Sequence, residues 1–301
     1  MSMSRAVRFE EFGPASVLRV VETEEPQAGP GQIRVRVRTA GLNPVDYKQR
    51  SGDYGALSLP AGMGRELAGV VDQAGEGCER FAVGDAVFGT VDGGAIAELV
   101  VADESTLAAK PDGLSWEVAG GLALAGQTAY DAVASQSITP ADTVLVSAAA
   151  GGVGLIVSQL VRRTGATVVG TAGPANHDFL ASLGIVPVVY GPGLAERVRE
   201  AAGGPVTAAF DQHGPETIEA AIALGVDRSR INTIATDPAP YGIARVGRGP
   251  NNPATLDELA RMAVSGELVI PIEASYPLDA VVSAYERLEE GHLRGKIVLT
   301  L

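Results

Sequence analysis

Residues 143–154 have the sequence Thr143-Val-Leu-Val-Ser-Ala-Ala-Ala-Gly-Gly-Val-Gly154, and a helical pattern follows at Leu155-Ile-Val-Ser-Gln-Leu-Val-Arg-Arg163. An apolar, β-branched run therefore ends in a turn of small residues that opens a helix. The first backbone N–H groups and the dipole of such a helix favour an anion. Against the glycine pattern of dinucleotide sites, an alanine replaces the first glycine and the other two remain. We predict that the turn holds the diphosphate of a dinucleotide through Ala149, Ala150, Gly151, Gly152, Val153 and Gly154.

The second half of the chain alternates strand-like and helix-like segments. Strands are predicted at 143–148, 167–172, 186–190, 207–211 and 230–235, with helices around 153–164, 176–183, 194–202 and 215–224. This alternation is typical of a parallel, doubly wound sheet that binds its ligand at the carboxyl ends of the strands. A further helix near 254–265 is predicted to complete this unit.

The first part of the chain, up to about residue 117, has a different character. The segment Ile33-Arg-Val-Arg-Val-Arg38 alternates strictly, as a half-buried strand does, and glycine-containing turns separate further strands at 67–71, 86–89 and 96–101. A helix at 278–290 and a strand at 296–300 are predicted to return to this β-rich part. The sequence therefore predicts an α/β fold with a discontinuous catalytic domain, 1–118 and 266–301, and an inserted cofactor domain, 119–265.

Composition excludes several classes of protein. The 301 residues include 23 basic and 36 acidic ones, and the net charge of −13 argues against nucleic acid or an anionic membrane as partner. The lone Cys78 excludes an internal disulfide and a multi-cysteine zinc site. No apolar run reaches the ~20 residues that span a bilayer, and no secretory signal starts the chain. We expect a soluble, cytoplasmic protein.

The loop after the second strand of the cofactor domain bears on the choice of nicotinamide cofactor. An NAD site usually has an acidic residue there, which holds the ribose 2′-hydroxyl. Here Val168-Val-Gly-Thr-Ala-Gly-Pro-Ala-Asn-His177 contains no acid, whereas Thr171, Asn176 and His177 can donate hydrogen bonds to a 2′-phosphate. We predict NADPH. A plain solvated loop is the alternative, because no arginine or lysine lies in this segment.

Six segments in order resemble one family. They are Gly41-Leu-Asn-Pro-Val-Asp46, Gly64-Arg-Glu-Leu-Ala-Gly-Val-Val71, Val83-Gly-Asp-Ala-Val-Phe88, Gln127-Thr-Ala-Tyr130, the small-residue turn, and Gly295-Lys-Ile-Val-Leu299. Over nearly its whole length the chain resembles the zinc-free medium-chain dehydrogenase/reductases of the quinone oxidoreductase type, the zeta-crystallin-like family. The resemblance implies a GroES-like catalytic domain and a Rossmann cofactor domain.

The zinc-dependent relatives of this family carry a cysteine where Asn43 stands and a histidine where Arg65 stands. Neither residue supplies a ligand that catalytic zinc prefers. The three histidines, His177, His213 and His292, lie far apart in the sequence. We therefore expect no metal.

The resemblance also implies further cofactor contacts. Thr128 falls where the family reaches the nicotinamide, Tyr190 near the adenosine ribose or phosphate, and Ile234 and Ala235 beside the nicotinamide. For Tyr190 and Ile234, packing at a strand end is the alternative. The family also implies a homodimer, formed by edge pairing of the cofactor-domain sheets near 241–248.

The candidates for catalytic residues lie within the segment Asn43-Pro-Val-Asp46 or shortly after it. Reduction of a conjugated carbonyl by hydride leaves a negative oxygen that needs a hydrogen-bond donor and then a proton. Asn43, Tyr47, Lys48 and Tyr54 can donate, and Tyr54 matches the proton-donating tyrosine of related 2-enoyl-thioester reductases. Lys48 stands where related quinone reductases often have a tyrosine; it either aids an anionic substrate or forms a surface ion pair. Asn43 either contacts the reacting groups or starts a helix through an Asx-type turn.

The leading hypothesis is an NADPH-dependent reductase of quinones or other conjugated carbonyl compounds. A 2-enoyl-thioester reductase is the second enzymatic hypothesis, supported by the match at Tyr54. A non-catalytic NADPH-binding sensor or structural protein is the hypothesis from another class.

Overall fold

The computed structural model of the protein describes residues 2–55, 57–247, 249 and 251–301. The chain divides into two compact units. The first unit comprises residues 1–124, 251–291 and 296–301, and the second comprises residues 125–250 and 292–295. The domain limits predicted from the sequence, at 118/119 and 265/266, stay a prediction.

The first unit is built mainly of β-strands. In chain order they are β1 (Met3–Phe9), β2 (Arg19–Glu24), β3 (Gln32–Gly41), β4 (Ala61–Gly62), β5 (Glu66–Ala74), β6 (Ala86–Thr90), β7 (Leu99–Asp103), β8 (Leu107–Ala109), β15 (Ile272–Pro277) and β16 (Lys296–Thr300). One sheet has the order β2-β1-β4, and the other has the order β15-β16-β3-β5-β6-β8 with β7 also paired to β3. On β3 the apolar side chains, such as Ile33 and Val35, are fully buried, as the alternating pattern predicts.

The second unit has a six-stranded parallel sheet of order β11-β10-β9-β12-β13-β14. Its strands are β9 (Thr143–Val146), β10 (Thr167–Thr171), β11 (Val186–Val188), β12 (Ala208–Asp211), β13 (Ile231–Thr233) and β14 (Ala244–Arg245), and its helices are α3 (Gly152–Arg163), α4 (His177–Ser182), α5 (Leu194–Ala202) and α6 (Pro215–Ala223). The strand order reverses between β9 and β12, which is where doubly wound sheets bind ligands. The predicted fold class is confirmed.

The described residues also form the α-helices α1 (Pro44–Arg50), α2 (Trp116–Ala134), α7 (Pro253–Ser265) and α8 (Val281–Glu290). Helix α2 was not predicted, because Gly120 and Gly121 weaken a helical pattern. Both glycines allow close packing in the first unit, because a Cβ on Gly120 would lie 2.7 Å from Thr39 Cγ2 and one on Gly121 3.3 Å from Val298 Cγ1. The helix therefore depends on tertiary contacts that local propensity does not reveal.

Two elements of the structure differ from the sequence-based prediction, one in the unit to which it belongs and one in where it begins. The helix at 254–265 was predicted to complete the cofactor domain, but α7 belongs to the first unit and contacts β8. The strand predicted at 96–101 begins only at Leu99, because Ile96 and Ala97 instead bond β1 through Val7 N to Ile96 O and an isolated Ala6–Ala97 bridge. Both differences come from long-range contacts.

The edge of the second unit's sheet bears on the predicted homodimer. Its edge strand β14 falls within the segment 241–248 that was predicted to pair, although Arg248 lies outside the described residues. The homodimer and the cytoplasmic location stay predictions. Within the described residues, no helix combines the length and apolar character needed to cross a membrane.

Candidate active site

The small-residue turn of the second unit lies between β9 and α3. Leu155 N makes the first intrahelical bond, to Gly151 O, so the amides of Gly152, Val153 and Gly154 have no acceptor within the helix. The cap residue is Gly151, which has no side chain to occupy these amides. A Cβ on Gly154 would lie only 2.3 Å from Ala148 O. The turn thus places three backbone N–H groups without an acceptor in the helix close to the end of β9, as the binding of a diphosphate requires.

Thr171, at the end of β10, supports this turn directly. Ala148, which has a φ of +47°, donates its N–H to Thr171 Oγ1 at 3.2 Å, and Ala149 donates to Thr171 O at 2.9 Å. Thr171 is 3% exposed. Its hydroxyl oxygen is therefore already an acceptor inside the fold, and its first role is to hold the turn.

The loop after β10 is contacted by a cation, Arg294, that comes from a distant part of the sequence and was not predicted. Arg294 donates from Nε to Asn176 Oδ1 at 2.8 Å and from Nη2 to Ala175 O at 3.0 Å, and its guanidinium lies over the Phe179 ring. The bond from Gly295 N to Ala150 O, at 2.7 Å, fixes this segment beside the turn. The Asn176 amide nitrogen and a guanidinium therefore lie together where a 2′-phosphate was predicted.

The other predicted residues of this loop have partners that limit their roles. His177 Nε2 lies 3.2 Å from Ala172 O and must carry the hydrogen, so a neutral ring keeps only an acceptor at Nδ1. Tyr190 is 41% exposed, its hydroxyl lies 2.9 Å from His292 Nδ1, and the two rings are stacked. A Cβ on Gly173 would lie 3.7 Å from the Tyr190 hydroxyl, so this tyrosine faces the predicted loop.

Two of the residues predicted to contact the nicotinamide, Thr128 and Ile234, lie close together. A Cβ on Gly247 would lie 2.8 Å from Thr128 Cγ2 and 3.1 Å from Ile234 Cγ2, so these two side chains approach the same glycine. Ala235 follows and donates its N–H to Thr233 Oγ1 at 3.0 Å. Thr128 and Ile234 therefore share one location at the end of β13.

Asp211 is a second residue of the site that was not predicted from the sequence. It is fully buried at the end of β12, where Ser147 Oγ donates to its Oδ1 and the hydroxyls of Thr233 and Thr236 donate to its Oδ2. The carboxylate thus ties together the ends of β9, β12 and β13. The next residue, Gln212, has both side-chain polar atoms buried without a partner among the described residues. An unsatisfied amide at the switch point of the sheet fits a bound polar ligand.

In the first unit, Asn43 lies at the start of α1 and inside a polar cluster. Its backbone N–H donates to Asp46 Oδ2 at 2.8 Å, which caps the helix. Its side chain is 5% exposed; Nδ2 donates to Glu66 Oε1 at 2.7 Å and Oδ1 accepts from Lys296 Nζ at 2.6 Å. The helix-start alternative is therefore correct for the backbone, while the amide is held by two charged groups.

The positions that correspond to zinc ligands in the relatives hold an amide and a guanidinium. Asn43 is committed to Lys296 and Glu66, and Arg65 donates from Nε to Gln49 Oε1 at 3.0 Å. In the part of the chain that the structure describes, no group of three or more His, Cys, Asp and Glu residues is arranged to hold a metal ion.

Lys48 and Tyr54 are both half-buried, Lys48 on α1 and Tyr54 in the segment that follows it. Lys48 forms no ion pair with any residue that the structure describes, so the surface-ion-pair alternative gains no support. In the same unit, a small solvent-open pocket is lined by Phe9, Asp46, Gln49, Leu57, Gly62, Met63, Gly64, Asp92 and Gly93.

Asp46, which lines this pocket, is 2% exposed. Burial raises the pKa of its carboxyl from 3.8 to about 7; the charge of Glu66 adds to the rise, whereas the Asn43 N–H, Lys296 and the Tyr285 hydroxyl oppose it. Oδ2 accepts the bond from Tyr285, and Oδ1 has no partner among the described residues. The carboxyl is therefore largely protonated below neutral pH.

This raised pKa predicts a pH dependence of stability. The folded state binds the proton more tightly than the unfolded state, so the stabilisation is complete below about pH 4 and is lost as the pH rises to about 7. In this window the free energy of unfolding of the wild type should fall relative to Asp46→Asn, by at most about 1.4 kcal/mol per pH unit. Urea unfolding of both proteins from about pH 5 to about pH 8 measures the difference. A constant difference would contradict the prediction.

Comparison with known proteins agrees with this geometry. Residues 29–112 match the alcohol dehydrogenase GroES-like domain, and residues 129–299, more than half of the chain, match the zinc-binding dehydrogenase domain. The chain is 38% identical to a quinone oxidoreductase of Pseudomonas aeruginosa over 60% of its own length and 56% of that relative. It is 35% identical to the erythronolide synthase EryA2 of Saccharopolyspora erythraea over 93% of its own length, which is 8% of the synthase.

A solved structure is similar over nearly the whole chain. Escherichia coli quinone oxidoreductase complexed with NADPH superposes with a TM-score of 0.88 and 26% identity, covering 99% of this chain and 100% of the other. The predicted family is thereby confirmed. The chain belongs to the zinc-free medium-chain dehydrogenase/reductases of the quinone oxidoreductase type, a family of oxidoreductase enzymes.

Proposed function

We propose that this chain is an NADPH-dependent oxidoreductase that transfers hydride to a quinone or another conjugated carbonyl compound without a metal. The observation that carries the proposal is that one unit contains both the amide-lined turn and Arg294, which is bonded to the loop after β10. The names of the relatives, quinone oxidoreductase in two cases, support the acceptor class.

The second unit offers a group for each part of NADPH. The amides of Gly152, Val153 and Gly154 would hold the diphosphate, together with the turn residues Ala149, Ala150 and Gly151. Arg294, the Asn176 amide and Tyr190 would hold the 2′-phosphate, while Thr171 and His177 shape that loop. Thr128, Ile234, Ala235 and the unsatisfied Gln212 amide would lie toward the nicotinamide end. When bound, the cofactor supplies the hydride.

The charge of Arg294 should decide the preference between the two cofactors. Arg294→Ala removes a guanidinium that can pair with a dianionic 2′-phosphate, so we expect the Kd for NADPH to rise about 10- to 100-fold while the Kd for NADH stays within about twofold. Fluorescence titration measures both. Arg199→Ala is the matched control, because Arg199 is an exposed arginine of α5 in the same unit. Equal losses for NADPH and NADH, or no loss, would contradict the assignment.

In the first unit, the proposed catalytic residues are Asn43, Tyr54 and Lys48. Hydride addition to a conjugated carbonyl leaves negative charge on the substrate oxygen. The second N–H of the Asn43 amide would donate to that oxygen, and the Tyr54 hydroxyl would supply the proton. The Lys48 ammonium would stabilise the same charge at longer range. A contact of Asn43 with the nicotinamide stays a prediction.

The proposal includes no metal because the side chains at the positions of the zinc ligands are poor ligands. The Asn43 oxygen already accepts from a lysine, and the Arg65 guanidinium cannot ligate a cation. Hydrogen-bond donors of the chain would therefore do what a Lewis acid does elsewhere.

A panel of acceptors tests the function. NADPH oxidation is followed with quinones, 2-alkenals and enoyl-CoA esters, with and without a chelator. The proposal expects turnover of quinones or 2-alkenals that the chelator does not change. Turnover lost on chelation would contradict the metal-free part, and NADPH binding without any turnover would favour the sensor or structural hypothesis.

The second candidate function is 2-enoyl-thioester reduction. The match to the erythronolide synthase EryA2 over 93% of this chain favours it, as does Tyr54. In the same panel, a kcat/KM for enoyl-CoA esters well above that for quinones would select this alternative.

A further inference from the structure

A buried ion pair in the first unit lies outside the proposed catalytic set. Lys296, the first residue of β16, is 4% exposed, and Glu66, the first residue of β5, is fully buried. The ammonium donates to Glu66 Oε1 at 2.9 Å, to Leu42 O at 3.0 Å and to Asn43 Oδ1 at 2.6 Å. Its three hydrogens are therefore all used, and one of them holds the amide proposed to face the substrate.

The carboxylate of this pair is equally constrained. Glu66 Oε1 accepts from Asn43 Nδ2 at 2.7 Å as well as from Lys296, and Oε2 accepts from Leu124 N at 2.8 Å. A Cβ on Gly41 would lie 2.3 Å from Glu66 Oε1, so the carboxylate fills the space that this glycine leaves. The pair has little freedom to move away from Asn43.

These contacts decide the orientation of the Asn43 amide. An ammonium can only donate and a carboxylate can only accept, so the oxygen must face Lys296 and the nitrogen must face Glu66. One N–H remains for a ligand. The positive charge of Lys296 beside the amide oxygen draws electron density away from the amide nitrogen. Linked hydrogen bonds strengthen one another in this way. The remaining N–H is therefore both fixed in direction and a stronger donor.

We propose that Lys296, together with Glu66, is a positioning residue that fixes and polarises the Asn43 amide, so that its remaining N–H donates to the substrate oxygen as that oxygen becomes negative. The inference deepens the proposed function and rests on it. It also gives a reason for the burial of the pair, because a buried ion pair adds little stability over apolar residues of the same size.

A double-mutant cycle of Asn43→Ala and Lys296→Met tests this inference, with kcat, KM and the NADPH Kd measured for each variant. If Lys296 acts through Asn43, each single change should lower kcat about 10- to 100-fold with the NADPH Kd within about twofold. The double variant should then be no slower than Asn43→Ala. Lys110→Met, which removes a lysine that lies over Trp116, should keep the wild-type kcat.

Several outcomes overturn the proposal. Lys296→Met could lower kcat by the same factor with and without Asn43, which would indicate a general structural role, or either single change could leave kcat unaltered. If Lys296→Met leaves Glu66 buried without its partner and fails to fold, Lys296→Met combined with Glu66→Gln removes both charges and takes its place in the cycle. A wild type that turns over no acceptor would refute the proposed function itself, and the inference with it, whereas an additive cycle in an active enzyme refutes only the inference.

Discussion

Replacement of Gly154 by alanine is expected to abolish NADPH binding at any practical concentration, with a loss of affinity of at least about 1000-fold. The new methyl carbon would lie 2.3 Å from Ala148 O and 2.7 Å from Ser147 O, and both are backbone atoms that cannot rotate away. The first turn of α3 would have to move off the end of β9. Its amides would then no longer converge on one diphosphate. Isothermal titration of NADPH into both proteins measures the loss.

Gly204→Ala is the control for the general cost of adding a methyl group. Gly204 lies in the same unit, and a Cβ there would meet nothing within 4 Å. We expect it to bind NADPH as the wild type does. Circular dichroism separates lost binding from lost folding, because a local shift of the turn leaves the helical content of Gly154→Ala close to that of the wild type. Wild-type NADPH affinity in Gly154→Ala would remove the turn from the diphosphate site.

The sequence predicts the second unit well because its signals are local. Apolar strand runs such as Thr143–Val146 and the glycines that follow them specify strand, turn and helix within about 20 residues. The helix α2 has no such signal, because its glycines are placed for contact with Thr39 and Val298. Those contacts exist only after β3 and β16 have formed. Helix α7 belongs to the first unit for a similar long-range reason, its contact with β8.

In the candidate site, too, the residues close together in sequence order could be predicted and the distant ones could not. Thr171 was predicted, from its place at the end of β10, to donate to a 2′-phosphate, and the bond from Ala148 N to its Oγ1 shows that it lies beside the turn at the end of the neighbouring β9. Arg294 could not be placed there, since 118 positions separate it from Asn176. Only the bond from Gly295 N to Ala150 O brings it to the loop. The missing cation of the loop is therefore supplied by the other end of the chain.

The backbone and the side chain of Asn43 have separate partners. Its backbone and Asp46 start α1, as a local Asx-type pattern predicts, while its side chain belongs to Lys296 and Glu66. In the sequence, Glu66 and Lys296 belong to two separate segments that resemble the family, and nothing there indicates that they pair. Their pairing across β5 and β16 depends on the sheet that places both strands beside β3.

Tyr54→Phe is expected to lower kcat for a 2-alkenal about 100-fold or more, because general acid catalysis by a positioned side chain contributes about 10²- to 10⁴-fold. The variant keeps the ring and loses only the hydroxyl, so the NADPH Kd should stay within about twofold. Quinone reduction should fall less, since a phenolate product takes its proton from water without difficulty. Steady-state rates with a 2-alkenal and a quinone, together with NADPH titration, measure the three effects.

The control is Tyr47→Phe on α1, a half-buried tyrosine of the same unit whose pKa is raised by burial and by the charge of Glu289. A raised pKa makes that hydroxyl a poorer proton donor than an ordinary phenol. Tyr47→Phe should therefore keep kcat within about twofold of the wild type. If Tyr47→Phe slowed the 2-alkenal reaction and Tyr54→Phe did not, the proton would come from α1 and not from the segment that follows it. If neither change slowed the reaction, the proton would come from a group other than these two tyrosines, and the buried Asp46 carboxyl, with its raised pKa and its place in the pocket wall, would be the next to test.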